Sequence, residues 1–454
     1  MQETVAVILA AGKGTRMKSA LPKVLHAVGG KSMLRHVMTA AEQAGAKRML
    51  VVVGFGGDKV QAEIGAAAEF VLQAEQLGTV HAMMQVQPVL AGFSGTILLL
   101  CGDTPLLTGQ ALLDLVAAHQ QSGAAATVLT AMPADATGYG RILRDESGQV
   151  LGIVEQKDAT AEQKQIGEIN TGIYCFEAAP LFAALAGLTC NNAQKEYYLT
   201  DVLAILAQAG QPVGAVEVAN FQETLGINSR LQLAEAEKIL RQRKLVELMD
   251  SGVTVMDPAS TFVDASVSVG EDTVLYPFTW LEGETTIGRD CRIGPNSRIS
   301  DSQLGDAVTL HFSYAHECKI AGGVSVGPYV HLRPDTELAA GVKVGNFVEI
   351  KNSRVGVGSK LPHLSYIGDA DIGSGVNIGC GTITVNYDGK KKHRTVVGDT
   401  AFVGCNSNLV APVSVGAGSY IAAGSTITKD VPDGALGVGR ARQSNIAGWV
   451  EKKK

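Results

Sequence analysis

A short aliphatic run near the start of the chain leads into a loop rich in glycine and basic residues. Val5–Leu9 is followed by residues 10–17, which read AAGKGTRM. Glycines after a strand let backbone N–H groups approach phosphate oxygens, and Lys13 and Arg16 add positive charge. The loop is not a P-loop, because GxxxxGK followed by Ser or Thr is missing. It is not a good dinucleotide fingerprint either, because Met17 stands where the third glycine would be. The pattern indicates a phosphate-binding turn of another kind.

A carboxylate, Asp103, follows a second aliphatic run, Thr96–Cys101. Val5–Ala10 and Met49–Val53 are similar continuous runs, which are typical of strands buried on both faces. Amphipathic segments such as Lys31–Ala44 lie between them. This alternation predicts a mostly parallel sheet with helices on both faces. In open α/β sheets ligands gather at the carboxyl ends of the strands, where Asp103 would lie.

In the rear half of the chain the hydrophobic residues follow a different period. Aliphatic residues recur every six positions in three runs, Val263–Ile299, Ile320–Ile350 and Val397–Ile427, and a small residue often follows. Neither a helix nor an alternating strand gives this period. A repeating hexapeptide indicates a parallel β-helix whose aliphatic residues point inward, with the small residue allowing the chain to turn. We expect the phase to slip near Gly305 and Val355, and to break at residues 386–395, where a loop leaves the coil.

Several polar residues interrupt the hexapeptides within a short stretch. Since a β-helix needs aliphatic residues inside, polar residues clustered on neighbouring coils suggest a functional site. The repeat alone is equally consistent with a scaffold or a trimerisation device. The interrupting residues are Arg333, Glu349, Lys351, His363, Tyr366, Asn377, Asn386 and Tyr387.

A segment between the two halves, residues 228–250, is rich in Leu, Ala, Glu, Lys and Arg. It predicts a connecting helix, with Asn228 or Ser229 as its N-cap and Gly252 after its end. The predicted organisation is therefore a front domain at 1–227, a linker helix at 228–250 and a rear domain at 251–454.

Composition excludes some classes of protein. The net charge is −6 over 454 residues with no long basic stripe, so we do not expect nucleic acid as the main partner. The seven cysteines are scattered without a CxxC pair, which favours a reducing, cytoplasmic compartment. No signal peptide is recognised, and no apolar stretch reaches the ~20 residues that a bilayer needs, so we expect no membrane segment.

Longer strings in the front half resemble the signature of sugar-phosphate nucleotidyltransferases. Strings in the rear half extend the resemblance to essentially the whole chain. They are similar to the bifunctional family of N-acetylglucosamine-1-phosphate uridylyltransferase and glucosamine-1-phosphate N-acetyltransferase. The front strings are 9–17 with Leu21-Pro22-Lys23, then 72–79, 102–103, 138–141, 153–155 and 168–172; the rear strings are 332–334, 345–351, 363–369, 377–379 and 384–389.

This resemblance implies a fold and two activities. The expected fold is α/β plus β: a Rossmann-like nucleotidyltransferase domain, a linker helix and a left-handed parallel β-helix of hexapeptide repeats. The rear domain would acetylate glucosamine 1-phosphate with acetyl-CoA. The front domain would then transfer UMP from UTP to N-acetylglucosamine 1-phosphate and release pyrophosphate, with Mg²⁺ as cofactor. β-Helix acyltransferases of this type place active sites between subunits, which implies a homotrimer.

The resemblance also assigns roles in the front domain. Asp103 would bind Mg²⁺ together with Asn228, and Arg16 and Lys23 would act on the phosphates in catalysis. Gln73, Gly78 and Thr79 would read uracil, while Gly140, Glu155 and Asn170 would hold the sugar. The remaining expected contacts to the nucleotide come from Leu9, Ala10, Ala11, Gly12, Cys101 and Gly102.

Roles in the rear domain follow in the same way. Acetyl transfer needs an unprotonated amine, so a general base is required, and His363 is assigned that role. The resemblance places Arg333, Glu349, Lys351, Tyr366 and Asn377 in the acceptor site. It places Cys380, Asn386, Tyr387, Cys405, Ala423 and Arg440 in the acetyl-CoA site, although at Cys380 and Cys405 the family more often has Ala and Ser.

Two other readings remain open. A monofunctional sugar-1-phosphate nucleotidyltransferase could carry a regulatory or oligomerising β-helix, but the set from His363 to Tyr387 speaks against it. A scaffold or exchange factor with a decayed catalytic domain is disfavoured by Asp103, Lys23 and the intact glycine-rich loop.

Overall fold

The structure is a computed structural model that describes residues 2–186, 188 and 199–453. The chain divides into two compact units, Met1–Leu240 and Arg241–Lys454, and each is described by itself. Six of the seven cysteines can be located, whereas Cys190 lies outside the described residues.

The first unit is built on a twisted, mostly parallel sheet. Aliphatic runs form its central strands because they are apolar on both faces and helices cover both sides. The strands are β1 Thr4–Ala10, β2 Ala27–Val28, β3 Lys31–Ser32, β4 Arg48–Val53, β5 Glu69–Leu72, β6 Thr96–Cys101, β7 Ala126–Ala131, β8 Arg141–Arg144, β9 Val150–Val154, β10 Ile169–Glu177 and β11 Val213–Glu217.

The sheet has the order β11-β7-β10-β6-β1-β4-β5, and β8 connects β9 to β10. Strand β1 pairs in parallel with both β4 and β6, so the carboxyl ends of these strands meet at one edge. Strand β10 runs antiparallel to β6 and β7. Its amino end, at Asn170, therefore joins the same edge.

Helices follow most of these strands. Ser229 is the N-cap of the last helix, since its Oγ accepts a hydrogen bond from the Gln232 N–H at 3.2 Å. The Asn228 side-chain oxygen instead accepts a hydrogen bond from Lys23. Gly252 follows the helix with a φ of 91°, as expected of a residue just past a helix end. The helices are α1 Met33–Gln43, α2 Gly57–Ile64, α3 Thr79–Val86, α4 Gly109–Ser122, α5 Ala178–Leu185, α6 Thr200–Gln208 and α7 Arg230–Asp250. No helix in the described part of the chain combines the length and the apolar character needed to cross a bilayer.

The second unit is a parallel β-helix with three faces. Each strand pairs in parallel with its equivalent one coil away. Face 1 comprises Thr254–Val255, Val274–Leu275, Arg292–Ile293, Thr309–Leu310, Ser325–Val326, the first parts of Lys343–Lys351 and Lys360–Gly368, Asn377–Ile378, Phe402–Val403, Tyr420–Ile421 and Leu436–Gly437. Face 2 comprises Phe262–Val263, Thr279–Glu282, Ser297–Ser300, Tyr314–His316, His331–Leu332, the second parts of the same two long strands, Ile383–Val385, Asn408–Val410 and Thr426–Ile427. Face 3 comprises Ser268–Val269, Thr286–Ile287, Gln303–Leu304, Cys318–Ile320, Thr336–Leu338, Arg354–Val355, Ala370–Ile372, Thr395–Val397 and Val413–Val415.

The inward residues of the repeat form one continuous apolar core. With the exception of Val269, which is half-buried, the predicted aliphatic positions are buried. Ile287 pairs with Leu304 and Leu304 with Ile320, so these coils are shorter than three full hexapeptides and produce the predicted phase slip. Ile372 pairs with Val397, and the extra residues form a loop at 386–394.

The small residues after the inward positions serve a different purpose from the one expected. A Cβ on Gly270 would lie 2.7 Å from the main-chain carbon of Gly288, and one on Gly288 would lie 2.6 Å from that of Gly305. Glycine is needed here because neighbouring coils approach closely. The turn itself falls two residues later, where Asp272 and Asp290 have positive φ.

Candidate functional site

A cleft of about 520 Å³ lies at the carboxyl edge of the sheet in the first unit. Its position follows from the strand order, because β1, β5 and β6 all end there and β10 begins there. The cleft is lined by Leu9, Ala10, Ala11, Gly12, Lys23, Val24, Gln73, Gln76, Gly78, Thr79, Ala82, Cys101, Asp103, Glu155, Asn170, Gly172, Tyr174, Leu199 and Thr200.

A cation already lies between the two predicted metal ligands. The Lys23 ammonium contacts Asp103 Oδ2 and donates to Asn228 Oδ1 at 2.9 Å. Ile227 N donates to the carbonyl of Asp103 at 2.8 Å, which brings the loop before α7 to the end of β6. Asn228 Nδ2 donates to the Gly226 carbonyl at 3.3 Å, so its oxygen is the atom that faces Lys23. Two hard oxygen donors thus converge on one positive charge.

The predicted sugar-binding residues also come together. A Cβ on Gly140 would lie 3.4 Å from Glu155 Oε2 and 3.5 Å from Asn170 Cβ, so Gly140 lies within contact distance of both residues. Tyr174 Oη donates to Asn170 Oδ1 at 3.0 Å, which fixes the amide. Burial raises the pKa of Glu155, and a hydrogen bond with Thr200 opposes this shift.

Four predicted residues do not line the cleft: Arg16, Gly102, Gly140 and Asn228. Arg16 lies on a 3-10 turn, Thr15–Met17, where it is exposed and does not line the cleft. Gly102 is buried, and its N–H donates to the Leu9 carbonyl at 3.0 Å. Cys101 lines the cleft, but burial raises the pKa of its thiol to about 12, so it has no thiolate character at neutral pH.

Sequence reasoning missed several residues of this cleft. Gln76 lies within a string that carried the family resemblance and could have been found. Tyr174 and Thr200 had no such signal, because they reach the cleft only through strand pairing and through the packing of α6. The other unpredicted lining residues are Val24, Ala82, Gly172 and Leu199.

The second unit holds the predicted general base on its surface. His363 Nδ1 lies 2.8 Å from Asn346 Oδ1, and the two residues pair directly between neighbouring coils. An amide oxygen is only an acceptor, so Nδ1 carries the hydrogen in this contact and Nε2 is left as the basic nitrogen. Asn346 belongs to a string that was noted in the sequence, but it was not named as a functional residue.

Basic side chains gather around Tyr366 on the neighbouring coils. Arg333 Nη1 donates to Glu349 Oε1 at 2.8 Å, and Glu349 pairs with Tyr366 on the next coil. Contact with Lys351 lowers the pKa of Lys392, since the neighbouring ammonium disfavours the charged form of Lys392. Lys392 was not predicted. Its position on the loop at 386–394 gave no indication that it would reach a residue so far back in the chain.

The start of that loop is tied to the coil. Asn386 Nδ2 contacts Asp369 Oδ2 and lies 3.4 Å from Tyr366 Oη. Burial would raise the pKa of Asp369, but hydrogen bonds from Asn352 and Asn386 outweigh it and lower that pKa. Asn386 is therefore held by an ionised carboxylate and positions the ring of Tyr366. Tyr387 points outward, with its hydroxyl donating to the Gly389 carbonyl at 2.8 Å.

Four of the six predicted acetyl-CoA positions form a column with His363, whereas Asn386 and Tyr387 lie on the loop at 386–394. His363 pairs with Asn346 on the preceding coil. On the following coils Ile378 pairs with Val403, and Val403 with Ile421. The residues two positions further along the chain in each case, Cys380, Cys405 and Ala423, therefore continue the column. Arg440 ends the column, because its Nη1 donates to the Ala423 carbonyl at 2.8 Å. At about 4.8 Å a coil, this corner between faces 1 and 2 extends about 19 Å from His363 to Arg440.

One predicted acceptor residue stands apart. Asn377 lies on face 1, where it pairs with Lys360 and Phe402. Within the described residues no hydrogen bond joins it to the group around Tyr366. Cys380 is half-buried and Cys405 exposed, so the second of these thiols is the more accessible to solvent.

Together these features define a class of transferase, with a nucleotidyltransferase-like cleft in one unit and a hexapeptide-repeat β-helix bearing a second site in the other. Residues 5–224 match the model of the nucleotidyl transferase family. Residues 394–429 match that of the bacterial transferase hexapeptide, six repeats.

Curated relatives match over the full length of the chain. A protein of Pelotomaculum thermopropionicum (strain DSM 13744 / JCM 10971 / SI), named Bifunctional protein GlmU, is 58% identical over 452 residues, which cover 100% of this chain and 99% of that protein. Proteins of the same name from Heliobacterium modesticaldum (strain ATCC 51547 / Ice1) and Geobacillus sp. (strain WCH70) are 56% and 52% identical over 100% of this chain and over 99% and 98% of their own lengths. The chain belongs to the bifunctional GlmU family.

Proposed function

We propose that this chain performs two consecutive reactions of UDP-N-acetylglucosamine synthesis in the cytoplasm. The β-helix domain, 251–454, acetylates glucosamine 1-phosphate with acetyl-CoA. The front domain, 1–227, then transfers UMP from UTP to N-acetylglucosamine 1-phosphate, and the helix at 228–250 links them. The observation that carries the proposal is that each unit holds its own chemically suitable set of side chains. One unit has paired oxygens with a lysine, and the other has an oriented histidine and a separate group of basic residues.

In the front reaction, a phosphate oxygen of the sugar 1-phosphate attacks the α-phosphorus of UTP. The bond to the bridging oxygen breaks and pyrophosphate leaves with the electron pair. Lys23 is placed to neutralise charge on the phosphates, and the backbone of Leu9–Gly12 provides N–H groups along the same wall. Glu155 and Asn170 orient the sugar at the other end of the cleft.

Mg²⁺ fits this cleft. Asp103 and Asn228 provide two hard oxygens that already accommodate the Lys23 ammonium, and Mg²⁺ takes few protein ligands because substrate phosphates supply others. The bound ion would supply charge stabilisation to the phosphates.

In the rear reaction, the amine of glucosamine 1-phosphate attacks the thioester carbonyl of acetyl-CoA. His363 Nε2 accepts the proton that the amine loses, and the coenzyme A thiolate leaves. Asn346 keeps the ring in the tautomer that this requires. Arg333, Lys351 and Lys392 provide positive charge for the sugar phosphate. The column that ends at Arg440 offers an extended line for the coenzyme.

A homotrimer agrees with an apolar stripe at the corner that also carries His363. The stripe consists of Phe278, Phe312, Tyr329, Phe347 and Leu364, each between 36% and 59% exposed. All five have positive φ, a conformation that costs roughly 1–2 kcal/mol for a non-glycine residue. At the other corners this position is held mainly by small or polar residues such as Asp272 and Asp290. Large exposed apolar groups in such positions favour burial against a second copy of the chain. If light scattering shows a monomer that has full acetyltransferase activity, the proposed homotrimer is refuted.

The test is product analysis by mass spectrometry on the unaltered chain and on two reciprocal variants. Each receives Mg²⁺ with either UTP plus N-acetylglucosamine 1-phosphate or acetyl-CoA plus glucosamine 1-phosphate. We expect His363→Ala to lose only acetyl transfer and Asp103→Ala to lose only uridylyl transfer. If the unaltered chain never acetylates its acceptor, the β-helix is a regulatory or oligomerising domain and the monofunctional alternative takes over.

A further inference from the structure

A histidine just outside the front cleft contacts one of the residues that line it. Gln73 follows β5 and is only 3% exposed. The small exposed part of the residue faces the cleft. Its Nε2 donates to the Gly78 carbonyl at 3.0 Å and lies 3.2 Å from His81 Nδ1. His81 lies on α3 and does not line the cleft.

These two contacts fix which way the Gln73 amide faces. The Gly78 carbonyl can only accept, so the amide atom beside it is the NH₂ group. That group has two hydrogens, and the second points to His81 Nδ1, which accepts it when the ring is neutral and carries its hydrogen on Nε2. Gln85 Nε2 lies 3.3 Å from that ring nitrogen, but the same NH₂ group donates to the His81 carbonyl at 3.3 Å, so it does not need the ring as an acceptor.

The amide oxygen of Gln73 is therefore left for the cleft. Among the described residues it has no hydrogen-bond partner, and it is not among the buried polar atoms that lack one. It must reach the open space of the cleft as a pure acceptor. A ligand atom that meets it has to be a donor.

We propose that His81 is a positioning residue for base selection, which acts by holding Gln73 with its oxygen toward the nucleotide base. This inference rests on the proposed use of UTP and on the assignment of Gln73 to the base. The N3 atom of uracil carries a hydrogen and can donate to Gln73 Oε1, whereas N3 of cytosine is an acceptor and would face it with like charge. A Gln73 amide free to turn would lose this discrimination, because its NH₂ group could then donate to cytosine N3.

The test compares His81→Leu, which removes the acceptor, with His81→Gln, whose side-chain oxygen restores one. His36→Leu is the matched control, because His36 is also half-buried in the same unit but contacts the Val28 carbonyl at 2.8 Å. The kcat and KM for UTP and for CTP are measured separately, with Mg²⁺ and N-acetylglucosamine 1-phosphate. Nitrogen-15 NMR of the unaltered protein reports which nitrogen of the His81 ring carries the hydrogen.

For His81→Leu we expect the ratio of kcat/KM for UTP over CTP to fall about fivefold, the effect of one neutral hydrogen bond. The change should lie in KM, while His81→Gln and His36→Leu keep the original ratio. NMR should show hydrogen on Nε2 and a bare Nδ1. An unchanged ratio in His81→Leu, or a hydrogen on Nδ1, overturns the proposal. If His81→Leu fails to fold, the NMR result decides alone, and if the unaltered chain transfers no UMP at all, the proposed function itself has failed.

Discussion

Asp371 and Arg394 form an ion pair that fastens the loop at 386–394 to the β-helix. Arg394 Nη2 donates to Asp371 Oδ1 at 2.6 Å and its Nε to Asp371 Oδ2 at 2.5 Å, so the pair is bidentate. Arg394 Nη1 also donates to the Asn352 carbonyl at 3.3 Å. We call this ion pair the clamp. Because Asn386, Tyr387 and Lys392 belong to the loop, Asp371→Asn tests whether the clamp keeps the candidate acetyl-transfer residues in place.

The expected size of the effect follows from the exposure of the pair. Both side chains are a little under two-fifths exposed, so solvent and salt screen the attraction. An exposed pair contributes at most about 1 kcal/mol, and bidentate geometry places this one at the upper end. A loss of about 1 kcal/mol makes local opening about fivefold more frequent.

Hydrogen exchange of the backbone amides at 386–394 measures this opening. In Asp371→Asn we expect exchange there to become about fivefold faster, with the KM for acetyl-CoA raised and uridylyl transfer unchanged. Glu337→Gln is the matched control, because Glu337 pairs with Arg354 at 3.3 Å on the same face but outside the loop. Faster exchange in the control as well, or an unchanged exchange rate in Asp371→Asn, would contradict the role of the clamp.

The pH dependence adds a second check. The Arg394 guanidinium holds the pKa of Asp371 below its ordinary value of 3.8. The carboxylate therefore stabilises the clamped loop fully above that ordinary value, and the contribution is lost as the pH falls through the lowered pKa. The hydrogen-exchange rates at 386–394 are first corrected for the pH dependence of intrinsic amide exchange. In the unaltered chain the corrected rates should rise only below about pH 4, whereas in Asp371→Asn they should show no such rise.

Three further outcomes are expected. Asn346→Leu removes the acceptor that orients His363 and should lower the kcat of acetyl transfer about tenfold in steady-state assays with acetyl-CoA, leaving uridylyl transfer unchanged. Ser229→Ala removes the N-cap of α7 and should reduce the free energy of unfolding by about 1 kcal/mol in urea titrations, whereas Ser229→Asp should not. Alkylation of the exposed Cys405 by a maleimide should slow acetyl transfer, while the front cleft stays active because burial raises the pKa of Cys101 to about 12. Loss of uridylyl transfer under that treatment would refute the last expectation.

Much of the fold could be predicted because its causes are local. Every inward position of a β-helix must be aliphatic, so the six-residue period appears directly in the sequence, and its slip near Gly305 is seen as shortened coils. The exposed aromatic residues at the corner, such as Phe312 and Tyr329, could not be predicted from turn chemistry. Turn preferences place Gly, Asn or Asp where φ is positive, and these positions depart from that rule.

The sites were predictable where one string carries the chemistry and not where distant segments meet. Gln73 and Asp103 lie in strings of their own, and the structure places both in the cleft. Arg16 lies in a string as well, but the 3-10 turn carries it away from the lining. Lys392 reaches Lys351 only because two coils and a loop bring them together, a fact that no local pattern contains.

The β-helix also explains how such a site tolerates irregular spacing along the chain. His363 and Asn346 pair directly, and the coils that carry Ile378, Val403 and Ile421 stay in register although one of them contains the additional loop at 386–394. Parallel pairing fixes the faces, so length differences are absorbed at corners and in loops. The residues that we propose to act on substrates therefore occur where the coil can vary, while the aliphatic positions between them hold the column from His363 to Arg440 in line.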